Sequence, residues 1–187
     1  MSFFNDILNP VEFPLLKSFH DTLQCGFLDA VMPVVSSLCK AGICWILLAA
    51  VLLIFRKTRK TAFSVALALI LGLVVCNFTL KPIFARIRPY EFDTTVVLLI
   101  KKEIDFSFPS GHTMASFCAS TAVFMDNRKW GAFAFAVALL IAFSRIYLMM
   151  HFFTDVIVSA ILGVLLGVLA FFIVRLVWNK LPKKNAD

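Results

Sequence analysis

Long apolar runs, separated by short polar or Pro-containing segments, dominate the chain. At helical spacing they predict apolar helices over about 26–39, 41–55, 61–80, 112–125, 130–148 and 153–178. Several approach the roughly 20 residues that a helix needs to cross a bilayer core. The first is short and contains Asp29 and Pro33, so it also reads as a partial span that continues through Gly42 into the second. Upstream, Phe4, Leu8, Val11, Leu15, Phe19 and Leu23 recur at helical spacing with Asp6, Asn9, Glu12 and Asp21 between them. That pattern predicts a helix lying in the membrane interface, bent near Pro10 and Pro14. The expected fold class is therefore all-α: an integral membrane bundle of about six transmembrane helices with an N-terminal interfacial helix. It divides into an interfacial segment over 1–24, one membrane domain over 25–180 and a cytoplasmic tail over 181–187. No basic region precedes an apolar core at the start, so no cleaved signal peptide is expected.

Composition agrees with the pattern. Of 187 residues, 61% are hydrophobic and only 16% charged, an apolar share above that of a soluble domain. The net charge of +7 does not point to nucleic acid, because the basic residues sit at span ends and in one loop and form no solvated basic face. Arg56 to Lys60, Asn127 to Lys129 and the tail from Lys180 to Lys184 are basic, and the positive-inside rule assigns them to the cytoplasm. The segment from Lys81 to Ser110 and the turn near Met150 then fall on the non-cytoplasmic face of a cell membrane. The five cysteines are dispersed without C-x-x-C spacing and read as small buried hydrophobes.

Three constellations on that face carry chemistry. In Lys81-Pro-Ile-Phe-Ala-Arg86-Ile-Arg88-Pro89 two prolines end the helix and leave Lys81 and Arg88 at the membrane edge. Alone they also read as snorkelling anchors; together they suit phosphate, Arg through a bidentate fork and Lys as a point charge. In Phe108-Pro109-Ser110-Gly111-His112-Thr113, Ser110 is a natural N-cap and Gly111 lets a ligand approach the helix start, where free N–H groups and the dipole favour an anion. His112 stands beside it, although an ordinary cap with a bystander histidine has the same sequence. In Ser144-Arg145 to His151 and Asp155, the last two are spaced i, i+4, so on a helix they share a face. The carboxylate is expected to accept a hydrogen bond from one imidazole nitrogen and leave the other free to attack. A purely structural ion pair is the competing reading, but ionisable groups within spans are usually functional. His20 is expected to be an interfacial bystander. No cluster of His, Cys, Asp or Glu has metal-site spacing, so neither a metal nor another cofactor is expected. No P-loop or G-x-G-x-x-G supports nucleotide binding.

At these residues the sequence resembles the type-2 phosphatidic acid phosphatase superfamily, which includes membrane lipid phosphatases and soluble vanadium haloperoxidases. Lys81 with Arg88-Pro89, Pro109 to His112, and Ser144-Arg145 with His151 and Asp155 match all three parts of its signature. The resemblance, which covers about 26–178, implies a metal-independent two-step hydrolysis. His151 would attack phosphorus and become a phosphohistidine, Asp155 would orient it, and His112 would protonate the leaving oxygen and later activate water. Lys81, Arg88, Ser110, Gly111 and Arg145 would hold the phosphoryl oxygens. The residues alone leave open which histidine attacks; pairing with Asp155 favours His151. The implied partners are membrane lipids and a lipid phosphate substrate. Within that class the chain is similar to small bacterial enzymes that recycle undecaprenyl diphosphate, with phosphatidylglycerol phosphate, phosphatidic acid and lipid A phosphates as alternatives. A lipid phosphotransferase using the same intermediate is a second class, and a transporter or scaffold a third; the latter lacks the paired Gly/Pro-broken spans of a midplane site. The apolar run Val96 to Ile100 reads either as an interfacial dip or as the anchor of a surface loop.

Overall fold

The structure, a computed structural model, describes residues 3–180, so the tail expected over 181–187 lies outside the described residues. A wide helical turn at Phe3–Leu8 leads into α1 (Asn9–Leu23). It is followed by α2 (Gly26–Leu38), α3 (Ile43–Ile54) and α4 (Arg59–Leu73). A π-helical stretch at Val74–Leu80 then passes into the short α5 (Lys81–Phe84) and α6 (Pro89–Phe92). After a long loop come α7 (Gly111–Asp126), α8 (Arg128–Tyr147) and α9 (Phe153–Lys180), and no strand occurs among the described residues.

Three helical runs are long and apolar enough to cross a membrane by length and composition: the 34-residue run Arg59–Phe92, the 20-residue α8 and the 28-residue α9. Helices α2 and α3 are bent from one another by 51° and make a fourth crossing only if taken as one broken span. The first apolar segment is thus too short to cross alone, and the alternative in which it continues through Gly42 corresponds to this bent pair. Gly42, at φ 73°, makes that bend in a conformation that a side chain would resist. Helix α7 has 16 residues, short of the roughly 20 of a crossing.

Helix α7 is the axis of the fold and packs against α4, α8 and α9. From Thr113 to Val123 nearly every side chain is buried, which is why its sequence is small and weakly polar. Its serine hydroxyls are satisfied locally: Ser120 donates to the Ser116 carbonyl at 2.6 Å, and Ser116 donates to that of His112 at 2.7 Å and accepts from Trp45 at 2.9 Å. Glycines on the neighbours allow close approach. A Cβ at Gly163 would lie 2.7 Å from Phe117 Cβ, and one at Gly167 would lie 2.6 Å from Thr121 Cβ. The outer faces carry exposed Ile46, Phe63, Ile70, Phe133, Ile161, Leu165 and Leu176, an apolar belt suited to lipid. The basic connections gather at one end, where Asp126 accepts from Thr61 at 2.5 Å and from Arg175 at 2.6 Å, and Lys60 stacks over Trp178.

Two expectations are corrected. The polar positions of α1 do not all face water: Asn9 and Glu12 are buried, while Val11 and Leu15 are exposed. A buried arginine described below recruits the polar pair inward and turns those apolar residues out. Cys39 and Cys44 are not free hydrophobes; they flank the tight turn at Lys40–Gly42, and their Cα atoms lie 5.1 Å apart in a disulfide. Cys76 and Cys118 are buried thiols, and Cys25 is exposed.

Because α7 and α9 meet through glycine, Gly167→Val is expected to destabilise the protein by about 1–3 kcal/mol, the range for an overpacked core. The measurement is thermal unfolding in detergent, and an unchanged midpoint would mean that the two helices separate freely.

Candidate active site

At the end of the bundle opposite those basic connections, the chain breaks its helix and turns inward. Pro82 sits in α5, Ala85 takes a left-handed conformation at φ 42°, and the residues to Arg88 run extended before Pro89 opens α6. This path drives three cations into the protein: Lys81 is 5% exposed, and Arg86 and Arg88 are fully buried. Arg145, at the end of α8, is the fourth.

His151 lies in the turn between α8 and α9, one residue short of the helix proper. Its Nδ1 is 2.8 Å from the Ser107 carbonyl, which can only accept, so Nδ1 carries the proton and Nε2 is the free lone pair. Nε2 faces Arg88 at 3.4 Å. Burial first, then the nearby Arg88 and Arg145 guanidiniums, hold the imidazole pKa well below its ordinary value and keep the ring neutral. Asp155 does not bond the ring directly as the i, i+4 spacing suggested: the closest oxygen is 3.6 Å from Nδ1. With His151 outside the helix, the carboxylate accepts instead from the Phe152 N–H at 2.9 Å, the Ser107 hydroxyl at 2.5 Å and Arg86 at 2.5 Å. Ser107 therefore joins the two, its carbonyl on His151 and its hydroxyl on Asp155.

Lys81, Arg88 and Arg145 converge on two loop carboxylates. Lys81 and Arg88 pair with Asp105, the latter at 2.5 Å; Arg88 also pairs with Glu103 at 2.7 Å and Arg145 with Glu103 at 2.6 Å. Arg145 reaches Ser36 on α2 at 2.6 Å, and its Nε is buried with no hydrogen-bond partner. Burial alone would raise both acids. Arg145 and Arg88 outweigh it at Glu103, as Lys81 and Arg88 do at Asp105, and both carboxyls are held below the ordinary value. The loop is held from beneath by Val96, Leu98 and Ile100, which pack on Met32, Tyr90, Tyr147 and Leu148, so the anchored-loop reading is the one that matches.

Ser110 occupies the N-cap position of α7 but makes no side-chain cap bond; it is buried and accepts from the Thr113 hydroxyl at 3.0 Å. Gly111, His112 and Lys81 line a cavity of about 710 Å³, with Glu103 and Asp105 at the same polar end and Ile46, Leu69, Ile70 and Leu73 of α3 and α4 as apolar walls. His151, Arg88 and Arg145 do not line it. Ser144 donates back to Ile141, and His20 is tied to the Tyr147 carbonyl at 2.8 Å, so neither joins the cluster. Among the described residues, no group of three or more His, Cys, Asp or Glu is placed to hold a metal ion.

The sequence profile of the PAP2 superfamily matches residues 60–180, the stretch that carries all four cations, both site histidines and Asp155. The chain belongs to the PAP2 superfamily. The PAP2 protein undecaprenyl-diphosphatase BcrC of Bacillus subtilis is 32% identical over 192 residues, spanning 95% of this chain and 98% of that one. An undecaprenyl-diphosphatase of Sulfolobus acidocaldarius is 32% identical over 120 residues, which are 64% of this chain and 58% of its own length. The crystal structure of Aquifex aeolicus LpxE matches with a TM-score of 0.77 at 29% identity, covering 92% of this chain and 99% of that one. The PAP2 match begins at residue 60, so Asn9, Glu12 and Ser36, which all touch site arginines, lie outside it.

Four residues join the candidate site without a role assigned to them from the sequence: Arg86, Ser107, Glu103 and Asp105. Only Arg86 left a trace there, as a second arginine two positions before Arg88 at a helix break.

Since Asp105 occupies Lys81 and Arg88, Asp105→Asn is expected to lower the inhibition constant of inorganic phosphate several-fold; a rise would mean that the carboxylate orients the cations. The depressed carboxyl pKa values also fix a direction with pH. Both contacts persist above the ordinary carboxylate range and weaken as pH falls through the depressed values, so acid is expected to loosen the loop, measurable as faster proteolysis at Lys101 or Lys102.

Proposed function

We propose that the protein is a membrane lipid phosphatase that removes the terminal phosphate of a lipid phosphate or diphosphate through a phosphohistidine on His151. One observation carries the reading. A neutral, buried imidazole has its Nδ1–H held by the Ser107 carbonyl and its free Nε2 turned to Arg88, in a nest of Lys81, Arg88 and Arg145 beside an apolar cavity.

In the first step Nε2 bonds to phosphorus while the bond to the leaving oxygen breaks; the electron pair stays on that oxygen, which takes a proton from His112. Burial and Arg145 hold the His112 pKa at about 3, and the bound phosphate dianion raises it. In the second, water attacks phosphorus, His112 accepts its proton, and the N–P bond breaks to free inorganic phosphate and restore His151. Lys81, Arg88 and Arg145, with the unpartnered Arg145 Nε, the Ser110 hydroxyl and the Gly111 N–H, neutralise the phosphoryl oxygens, and no step uses a metal. Such preorganised donors contribute on the order of 10²–10³ in rate each.

Undecaprenyl diphosphate is the substrate we favour, supported by the near full-length match to BcrC. The cavity walls on α3 and α4 suit a lipid chain whose headgroup meets His112 and Lys81. The site end lies opposite the basic connections, which supports a non-cytoplasmic active site in a cell membrane.

His151→Ala is expected to abolish phosphate release from detergent-purified, folded protein, and Asp155→Asn to reduce it by at least a hundredfold. Near-normal turnover by His151→Ala would refute the assignment. Activity is expected to persist in excess EDTA; its loss there, with rescue by a divalent ion, would overturn the metal-free step. A panel of polyprenyl, glycerolipid and lipid A phosphates ranks the substrates, and label passing to an acceptor lipid rather than to free phosphate would mark a phosphotransferase.

A further inference from the structure

Arg86 is fully buried and held from two sides. One Nη atom donates to Asp155 at 2.5 Å and to the Thr154 hydroxyl at 2.7 Å. The other donates to Glu12 at 3.0 Å, and Nε donates to Asn9 at 2.7 Å. Its guanidinium lies 4.0 Å from the Phe152 ring centroid and 4.9 Å from that of Phe4, so no water shares it. The bonding fixes the charges. Among the described residues Asp155 accepts from Arg86, Ser107 and the Phe152 N–H, a set that suits a carboxylate. Glu12 likewise accepts from Arg86 and from the Thr154 hydroxyl at 3.0 Å.

Among the described residues, one cation against two carboxylates leaves this cluster with a net negative charge beside His151. An arginine would neutralise Asp155 completely if Glu12 were absent. The reaction, in turn, makes a positive charge: when Nε2 bonds to phosphorus while Nδ1 keeps its proton, the imidazole becomes an imidazolium in a buried site already lined by Lys81, Arg88 and Arg145. A group so placed forms readily only where a fixed negative charge balances it.

We propose that Glu12, supplied by the N-terminal helix from outside the family-matched region, is a positioning residue for catalysis: by sharing Arg86 it leaves Asp155 an unspent negative charge that stabilises the phosphorylated His151. Helix α1 is on this account part of the active site. Asn9, bonded to the Nε of the same arginine, holds the geometry without charge.

This inference rests on the phosphohistidine reading, and the experiment separates the two. Glu12→Gln keeps the acceptor for Arg86 and removes only the charge. With rapid quenching of a phosphorus-labelled polyprenyl diphosphate, the variant is expected to form acid-labile phosphoprotein on the order of tenfold more slowly than the wild type. KM and the inhibition constant of inorganic phosphate should stay within about twofold, because the phosphate cations are separate from this cluster. A merely structural loss would move those constants or the thermal midpoint instead. The double variant Glu12→Gln, Thr154→Asp returns a carboxylate to a position already bonded to Arg86 and is expected to recover most of the lost rate. Label formation by folded Glu12→Gln at the wild-type rate, or no recovery in a folded double variant, overturns the role of Glu12. Absence of acid-labile label on the wild type overturns the phosphohistidine reading itself, whatever stands at position 12.

Discussion

A cation taken out of water must find compensating charge, and one end of this bundle buries four of them: Lys81, Arg86, Arg88 and Arg145. Their compensation organises everything around them. Arg86 draws α1 inward through Asn9 and Glu12; Arg145 ties α8 to α2 through Ser36; Lys81, Arg88 and Arg145 together clamp the loop through Glu103 and Asp105. Elements far apart in sequence are thus fixed by guanidinium geometry, whose planar fork reaches several partners at once. The two sets differ in kind. Arg86 is enclosed by buried partners, whereas the other three face acids on a loop that is itself partly exposed.

The apolar part of the molecule serves that arrangement. Helix α7 brings Ser110, Gly111 and His112 to the site, while α9 carries Asp155 on its first turn. Glycines on α9 let the two helices approach to backbone contact, which sets the site's geometry by close packing and not by loop conformation. A membrane supplies little hydrophobic drive between helices, so small residues at crossings are the expected means of holding such a contact.

Much of this was legible in the chain. The three motifs name seven of the charged and polar groups that gather at one end, and their spacing on apolar helices foretold a shared face. The six apolar segments are all helical. What the sequence hid is tertiary. Glu12 meets Arg86 across 74 positions, so periodicity alone could not show that Asn9 and Glu12 of the polar stripe answer a buried charge. The i, i+4 rule linked His151 to Asp155 but presumed a helix that begins only at Phe153, so the bridging Ser107 was missed. Cysteine counting overlooked Cys39 and Cys44 because the turn that joins them is a property of the fold.

The hydrogen bond that settles the tautomer of His151 ends on the carbonyl of Ser107, while the bond to Asp155 ends on the hydroxyl of the same residue. Every amino acid carries a carbonyl. Substitution at position 107 changes the hydroxyl, which lies 2.5 Å from Asp155 and 3.4 Å from His151 Nδ1, but leaves the carbonyl that takes the histidine's proton. The placement of that proton on His151 is in this sense set by the backbone. It is inherited with the path of the chain between Asp105 and Pro109, and a shift in that path would change it with no residue altered.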